Sequence, residues 1–305
     1  MSRFDCEWLS LREPLDTASR AHLIAETLID VMPDRPIQII DLGTGTGANL
    51  RYLSQILGGP QEWCLIDRDQ ALLDSISAIL SQWVLGFEGE VKRSGTELIV
   101  TRHDFECHVR TERRNLATDL AAVDFSADAL VSGSALLDLV SEQWLQELAQ
   151  RCHAVRAPVL FALNYDGHME FDPREADDER VRKLVNLHQM TDKGFGKALG
   201  PKAGQNAVRT FEQLGYRVKH ARSDWRISPS DQEVQGILLD MWFSAALEVA
   251  PDDVSVLRNW IQRRRDHVAC GRSGLSVGHI DLLSLIHISE PTRRTPISYA
   301  VFCLK

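Results

Sequence analysis

An apolar strand leads directly into three alternating glycines in the segment Ile39-Ile40-Asp41-Leu42-Gly43-Thr44-Gly45-Thr46-Gly47-Ala48-Asn49. Glycine has no Cβ atom, so it permits a tight turn from strand to helix and a close approach of a ligand to the backbone. The free N–H groups at the start of the following helix then face that ligand. The segment therefore predicts a loop that holds a charged nucleoside.

Three further strand ends carry polar residues. An apolar strand near residues 62–67 ends in Asp67-Arg68-Asp69, where Asp67 suits a ribose diol and Asp69 is a predicted helix N-cap. Residues 97–105 are predicted as a third strand that ends in His103-Asp104, and residues 127–134 as a fourth that ends in Ser132-Gly133-Ser134. Acids and small residues at successive strand ends predict one continuous nucleoside site.

These landmarks resemble class I S-adenosylmethionine-dependent methyltransferases, whose signature is an acid, one residue and Gly-x-Gly-x-Gly. The resemblance covers about residues 36–227, with a last strand near residues 276–283. It implies S-adenosyl-L-methionine as cofactor, with the base held by Asp104 and the methyl group beside residues 132–137. The cofactor contacts that it implies are Asp41, Gly43, Thr44, Gly45, Gly47, Asn49, Asp67, Arg68, His103, Asp104, Ser132, Gly133 and Ser134.

Strands and helices alternate along the chain, which predicts a parallel sheet with helices on both faces. Together with the resemblance, this gives an α/β fold with a doubly wound, mostly parallel, seven-stranded Rossmann-like sheet. The predicted divisions are an N-terminal helical lid at 1–35 with a turn at Pro14, a methyltransferase domain at 36–283 with helical insertions near 164–200 and 228–272, and a tail at 284–305. The tail resembles a read-through peptide and is predicted to be non-native, and a genuine edge strand at 297–304 is the alternative.

Arg12 in the lid has two interpretations. Resembling methyltransferases often close the cofactor site with such a segment, which implies that Arg12 pairs with the methionine carboxylate. The alternative is a surface charge network of Arg12 with Glu13, Asp16 and Arg20.

Methyl transfer depends chiefly on alignment of nucleophile, carbon and leaving sulfur, and a base is needed where the nucleophile loses a proton. His188 is the first candidate base, because it lies in the densest polar cluster of an insertion, next to a loop that Gly194 and Gly196 allow to close. Tyr165 and Asp166 follow, since they come directly after the predicted fifth strand. An ordinary surface histidine is the alternative for His188.

The amino-acid composition limits the classes of partner and the cellular compartment that the sequence predicts. The chain has 305 residues, is 44% hydrophobic and 25% charged, and has a net charge of −9, which argues against a nucleic-acid surface. No apolar run reaches the roughly 20 residues of a membrane span, and the six scattered cysteines show no metal-ligand spacing, so we predict a cytoplasmic protein without a metal site. Arg263-Arg264-Arg265 is interpreted as a solvated helix face.

The acceptor is predicted to be a small molecule that receives a methyl group on oxygen, nitrogen or carbon. The fourth strand lacks an Asn/Asp-Pro-Pro-Tyr motif, and no Pro-Cys pair offers a cytosine-attacking thiolate. Two other classes stay open. Gly43, Gly45 and Ala48 also fit an NAD(P)-binding Rossmann oxidoreductase, although no Tyr-x-x-x-Lys follows the fourth strand. A non-catalytic S-adenosylmethionine-binding module would need no acceptor cavity. The sequence does not indicate the oligomeric state.

Overall fold

The computed structural model describes residues 6–32, 36–127 and 129–286. These residues form a ten-stranded sheet with helices packed against it. The strands are β1 Ile37–Leu42, β2 Gly59–Asp67, β3 Glu90–Ser94, β4 Glu97–Thr101, β5 Phe105–Arg113, β6 Leu130–Ser134, β7 Val159–Asp172, β8 Arg217–Arg222, β9 Trp225–Ile227 and β10 Gly274–Leu285. The helices are α1 Cys6–Ser19, α2 His22–Val31, α3 Ala48–Leu57, α4 Gln70–Leu85, α5 Leu116–Asp119, α6 Glu142–Ala154, α7 Asp178–Gln189, α8 Ala203–Gln213, α9 Gln232–Val249 and α10 Val254–Ala269. Among these helices, none is both long and apolar enough to cross a bilayer.

The sheet has the order β3-β4-β5-β2-β1-β6-β7-β10-β8, and β9 pairs with β10. Strands β5, β2, β1, β6 and β7 are parallel, whereas β10 runs antiparallel to β7 and β8. From β1 the chain builds outward through β2 and β5, then returns to the other side of β1 with β6 and β7. This reversal is a topological switch point, and the predicted doubly wound α/β class is confirmed.

Six of the seven predicted strands match β1, β2, β6, β7, β8 and β10, whereas the predicted third strand matches no single strand, and the sheet has ten strands. The β3–β4 hairpin lengthens one edge, and its turn lies at Gly95, where the backbone is left-handed with φ +62°. The segment predicted as a single strand over 216–227 is divided into β8 and β9, which pair with different parts of β10.

Apolar side chains on both faces hold the layers together. Alternate residues of a strand point to opposite faces, so Ile40 and Leu42 join one buried cluster while Ile37 and Ile39 join the other. Helices α6 and α8 cover the first face, and α2, α3 and α4 cover the second. A third cluster joins α1, α7, α9 and α10 to β9 and the distal halves of β7 and β10.

The predicted third strand at 97–105 is wrong. Strand β4 ends at Thr101, the chain reverses where the Arg102 amide donates to the Phe105 carbonyl at 2.9 Å, and β5 begins at Phe105. His103 and Asp104 therefore precede the parallel strand instead of ending it. They lie at the amino-end edge of the sheet, where the Gly59 amide at the start of β2 donates to the Asp104 carbonyl at 2.9 Å.

The predicted insertion at 164–200 begins too early. Strand β7 continues through the segment Asn164-Tyr165-Asp166-Gly167 to Asp172 and pairs with β10 there. Leu163 takes a left-handed φ of 53° next to a register shift in that pairing, so a bulge replaces the expected strand end.

The N-terminal segment is helical as predicted, but the turn expected at Pro14 is wrong. Pro14 lies inside α1, so the helix continues although it lacks one backbone donor. Residues 1–5 and 33–35 of the predicted lid lie outside the described residues.

Two expectations about the C-terminal part also change. The predicted tail boundary at 284 falls inside β10, where Ser284 is buried and pairs with Val218, while 287–305 with the alternative edge strand lie outside the described residues. The Arg263-Arg264-Arg265 run is only partly solvated. Arg264 is fully buried and forms an ion pair with Asp178 at the start of α7.

Candidate functional site

The glycine loop joins β1 to α3 through three left-handed residues. Gly43, Gly45 and Gly47 have φ angles of 68°, 57° and 80°. A side chain is strained in this region, which explains why the sequence has glycine there. At Gly45 an added Cβ atom would also lie 3.2 Å from Cδ1 of Leu9, so α1 packs directly on the loop.

Three amides of the loop itself, before the start of α3, are bonded within the protein. The amides of Gly43 and Thr44 donate to the Ile66 carbonyl at 2.9 and 3.0 Å, and the Gly47 amide donates to the Thr44 carbonyl at 3.0 Å. These bonds fix the loop to the end of β2. A ligand at the loop would therefore contact the surface of the turn and the flanking side chains more than these amides.

Asp67 connects the glycine loop to the end of β2. Its Oδ2 accepts the Gly45 amide at 2.9 Å, and its Oδ1 accepts the Asp69 amide at 2.9 Å. Asp69 in turn accepts the Ala71 amide at 2.9 Å, which confirms it as the N-cap of α4. Asp67 thus lies beside the loop, as the sequence predicts, while Arg68 next to it is exposed and accepts from Arg113 through its carbonyl.

Asn49 links the two strands at the switch point. Its Nδ2 donates to Oδ1 of Asp41 in β1 and to Oγ of Ser132 in β6, both at 2.7 Å. Its Oδ1 accepts from Nη1 of Arg20 at 3.0 Å. All four side chains are buried, so this network sets the spacing of β1 and β6 where a ligand would bind.

Burial raises the pKa of Asp41 to about 6, although the hydrogen bond from Asn49 and the charge of Arg20 act in the opposite direction. Its Oδ2 has no hydrogen-bond partner among the described residues. Asp41 is therefore a buried acid with one unused acceptor atom at the end of β1.

Arg20 also reaches β10. Its Nε lies 3.5 Å from Oδ2 of Asp281, and Asp281 accepts the amides of Leu163 at 2.7 Å and of Ala21 at 3.0 Å. The segment between α1 and α2 is thereby bound to β10, next to the edge strand β8. The predicted surface charge network is therefore wrong for Arg20, which is buried and pairs with Asp281.

Arg12 keeps one partner of that predicted network. Its Nε donates to Oδ2 of Asp16 at 2.9 Å, and its guanidinium lies 4.8 Å from the centre of the Trp225 ring. Glu13 instead pairs with Arg51 of α3. Arg12 and Asp16 thus pair with each other beside Trp225, whereas Glu13 and Arg20 bind Arg51 and Asp281 in the body of the protein.

The end of β6 contains the small residues that the sequence predicts near the methyl group. Ser132 is buried, Gly133 packs against Phe161 so closely that a Cβ atom would lie 3.0 Å from that ring, and Ser134 is half-buried. Asp138 follows in the next segment. Its side chain is buried.

The candidate bases are held by other side chains. The Tyr165 hydroxyl donates to Oδ1 of Asn186 at 2.7 Å, and burial raises its pKa, so it is protonated near neutral pH. Asp166 accepts the His168 amide at 2.9 Å and lies 3.3 Å from Nη1 of Arg222. Neither geometry favours proton removal from a substrate.

His188 lies at the end of α7 with both ring nitrogens in contact. Nε2 lies 3.0 Å from Oε2 of Glu248, and Nδ1 lies 3.2 Å from Nζ of Lys193. The ring is oriented by two charged groups, a constellation that the sequence could not reveal because Glu248 belongs to the distant helix α9.

His103 and Asp104 lie at the wrong edge of the sheet for the expected adenine contact. Asp104 forms an ion pair with Arg102, and the hydrogen bonds from that guanidinium lower its pKa to about 2. His103 is exposed beside it. The segment that follows β5 at the switch-point edge is instead Arg113-Arg114-Asn115, and the Arg114 amide donates to the Asp67 carbonyl at 2.8 Å.

Within the described ranges, no group of three His, Cys, Asp or Glu side chains is arranged to hold a metal ion. The buried polar residues that sequence reasoning missed share a different pattern. They are charged or polar side chains that lie far from their partners in sequence: Arg20, Arg51, Asp138, His279 and Asp281.

The solved structures that are similar to this chain include the following three. A cyclopropane synthase from Mycobacterium tuberculosis is 11% identical, covers 93% of this chain and 87% of its own, and has a TM-score of 0.40. An O-methyltransferase family protein from Burkholderia thailandensis is 13% identical, with coverages of 88% and 56% and a TM-score of 0.41. Phosphoethanolamine N-methyltransferase 2 from Haemonchus contortus, in complex with phosphomonomethylethanolamine and S-adenosylhomocysteine, is 9% identical, with coverages of 94% and 59% and a TM-score of 0.42.

No protein-family model and no curated protein matches the chain. Identities and TM-scores this low assign neither a ligand nor an activity to it.

Proposed function

We propose that the protein is an S-adenosylmethionine-dependent methyltransferase that acts on a small-molecule acceptor. One observation carries the proposal: the Asp67 carboxylate binds the Gly45 amide, so the acid after β2 lies against the glycine loop after β1. In open α/β sheets, nucleoside ligands bind where the strand order reverses, and an acid at the end of the second strand suits their ribose hydroxyls.

The sheet order favours this proposal over a dinucleotide-binding oxidoreductase. In the dinucleotide fold the sixth strand follows directly beside the fifth in a parallel sheet. Here β10 lies between β7 and β8 and runs antiparallel to both. The absence of Tyr-x-x-x-Lys after β6 supports the same choice.

The segment 113–115 takes over the base contact that the sequence assigned to Asp104. It follows β5 at the same edge as the glycine loop and is bonded to the Asp67 carbonyl through the Arg114 amide. Asn115 is the N-cap of α5, where its Oδ1 accepts the Ala117 amide at 3.2 Å. Its amide nitrogen remains the donor that a base could use.

The acid balance of the chain supports a small acceptor. A net charge of −9 opposes binding to a phosphate backbone. Oxygen, nitrogen and carbon nucleophiles all stay within this proposal, and His188 is a positioning residue in it, because Glu248 and Lys193 already contact both ring nitrogens.

Calorimetric titration with S-adenosylhomocysteine and, separately, with NADH tests the proposal. We expect micromolar binding of S-adenosylhomocysteine and no binding of NADH. Asp67→Ala should weaken that binding, since it removes the ribose acceptor and frees the Gly45 amide, while Asp252→Asn on the exposed turn before α10 serves as the control. Binding of NADH alone would favour the oxidoreductase. Unchanged affinity in Asp67→Ala would remove the ribose assignment.

A further inference from the structure

Asp138 is a buried carboxyl group that the protein leaves incompletely hydrogen-bonded. It lies four residues beyond the end of β6, its side chain is 7% exposed, and its Oδ1 has no hydrogen-bond partner within the described ranges. Leaving a buried acceptor unsatisfied costs about 1 to 3 kcal/mol. Such a group, next to the switch point, is suited to bind a donor that comes from outside the chain.

The groups around Asp138 come from three different elements. The backbone amide of Tyr165 in β7, the guanidinium of Arg12 in α1 and the ammonium of Lys193 after α7 all lower its pKa, but burial outweighs them and raises the pKa to about 6. At neutral pH the carboxyl group is therefore ionised and still close to its pKa. This is the range in which a general base is most efficient.

A second unsatisfied polar group lies on the far side of Tyr165. His279 of β10 pairs in register with Tyr165, and their ring centres are 6.3 Å apart. His279 is 5% exposed, and its Nδ1 has no hydrogen-bond partner among the described residues. Burial, assisted by the charge of Arg12, lowers its pKa to about 3, so the ring is neutral near pH 7.

Helix α1 covers this region. The guanidinium of Arg12 lies over the ring of Trp225, and that ring is 5.0 Å from the ring of His279. Trp8 and Tyr165 belong to the same buried apolar cluster. The neutral imidazole of His279 thus lies under an aromatic cover, and the charge of Arg12 acts both on this ring and on the Asp138 carboxylate.

We propose that Asp138 is the general base of the methyl transfer, and that the acceptor is an alcohol, a phenol or an amine whose nucleophilic atom carries a proton. This inference rests on the proposed function and narrows its acceptor class. The acceptor lone pair forms a bond to the methyl carbon while the carbon–sulfur bond breaks and its electron pair goes to sulfur. The acceptor proton passes to the Asp138 carboxylate and then to water. No oxidant or reductant is involved.

The proposal excludes acceptors that can be methylated without a base. A carboxylate and a tertiary amine attack the methyl carbon without a proton on the attacking atom, and their products need to lose none. A buried base within reach of the methyl group would add nothing to their methylation. The proton on the nucleophile is therefore the property that the experiment has to vary.

The test uses the full chain with methyl-labelled S-adenosylmethionine and a defined panel of three classes: phenols and alcohols, primary and secondary amines, and a proton-free class of carboxylates and tertiary amines. We expect transfer only to members of the first two classes. Asp138→Asn should lower that turnover by about 10²- to 10⁴-fold, with S-adenosylhomocysteine affinity within twofold of the wild type. Asp252→Asn is the matched control on an exposed turn.

The pH profile separates a base from a merely structural residue. Wild-type turnover should rise with pH through an apparent pKa near 6, because Asp138 must be ionised, and this rise should be absent in Asp138→Asn. Should that variant fold poorly, Asp138→Ala offers a second measurement, since added formate should restore part of its turnover.

Transfer to the proton-free class, full turnover in Asp138→Asn, or no transfer to any hydroxyl or amine despite S-adenosylhomocysteine binding would overturn the assignment. Failure of the wild type to bind S-adenosylhomocysteine would overturn the proposed function itself.

Discussion

Arg51 of α3 and Glu13 of α1 form a two-point ion pair that fastens the lid to the glycine loop. Nε of Arg51 lies 2.7 Å from Oε1 of Glu13, and its Nη2 contacts Oε2. Its Nη1 donates to the carbonyl of Thr46 at 2.7 Å. One buried guanidinium therefore contacts both the lid and the glycine loop.

We expect Glu13→Gln to loosen the lid. The variant leaves the buried Arg51 charge without its carboxylate, which should lower the free energy of unfolding by roughly 1.5 to 3 kcal/mol. Dissociation of S-adenosylhomocysteine, measured by stopped flow, should become about tenfold faster, equivalent to about 1.4 kcal/mol. Glu26→Gln on the exposed side of α2 is the control. An unchanged dissociation rate would show that the ion pair does not restrain the lid.

Asp41→Asn should stabilise the protein above pH 7. Because burial raises the pKa of Asp41 from 3.8 to about 6, protonation favours the folded state, and this contribution is present below about pH 4 and lost as the pH rises through 6. At about 1.4 kcal/mol per pH unit, the ionised form costs about 3 kcal/mol at pH 8. Asparagine keeps an oxygen for the Asn49 amide and removes that cost.

Urea unfolding at pH 8 and pH 4 measures the effect of Asp41→Asn. The variant should gain stability at pH 8 and show little difference from the wild type at pH 4. An equal gain at both values would contradict the titration argument, and Asp119→Asn on the exposed side of α5 provides the control.

Two glycine-to-alanine changes should have opposite signs. Gly45→Ala places a side chain at φ 57°, with Cβ 3.2 Å from Leu9 Cδ1, and should destabilise the protein by at least about 1 kcal/mol. Gly236→Ala lies inside α9, has open space around its Cβ position, and should stabilise by about 0.5 to 1 kcal/mol. Thermal unfolding of both variants checks the pair, and a loss of stability in Gly236→Ala would contradict it.

His188→Ala should lower turnover less than Asp138→Asn does. His188 contacts Lys193, whose charge acts on Asp138, so the histidine affects the proposed base only through another side chain. We expect a loss of about tenfold in kcat with S-adenosylhomocysteine affinity unchanged, and partial recovery in His188→Gln, which can still hydrogen-bond to Lys193. A loss as large as that of Asp138→Asn would make His188 the base instead.

The sequence was most informative where the signal is local. The glycine loop, the N-cap at Asp69 and the position of Asp67 depend on neighbouring residues in the chain, and the structure places all of them as expected. The glycine pattern predicts the turn because left-handed backbone is a property of single residues.

Position in the sheet could not be predicted from local patterns. Residues 97–105 look like one strand that ends in acids, yet three polar residues at 102–104 form a reversal between β4 and β5. A turn and a strand end have similar composition, and only the pairing of β5 with β2 distinguishes them. The prediction therefore placed Asp104 at the carboxyl ends of the parallel strands, where the ligand is proposed to bind, although it lies at their amino ends.

The burial of charged side chains was the second feature that the sequence did not reveal. Asp138 and Arg20 belong to residue types that usually lie at the surface, yet both are buried. Their partners or neighbours come from β7 and β10, far along the chain. Functional side chains of this kind emerge only when the tertiary packing is known.

The position of β10 affects how the chain can assemble during synthesis. This strand is the final one of the ten described, yet it lies between β7 and β8 and supplies Asp281 to the Arg20 anchor. While a ribosome still holds residues 274–285, β7 exposes an unpaired edge and β8 has no neighbour in the sheet. A nascent chain is therefore open to aggregation and to proteases until its last described strand emerges, and a chaperone that shields the β7 edge should raise the yield of folded protein.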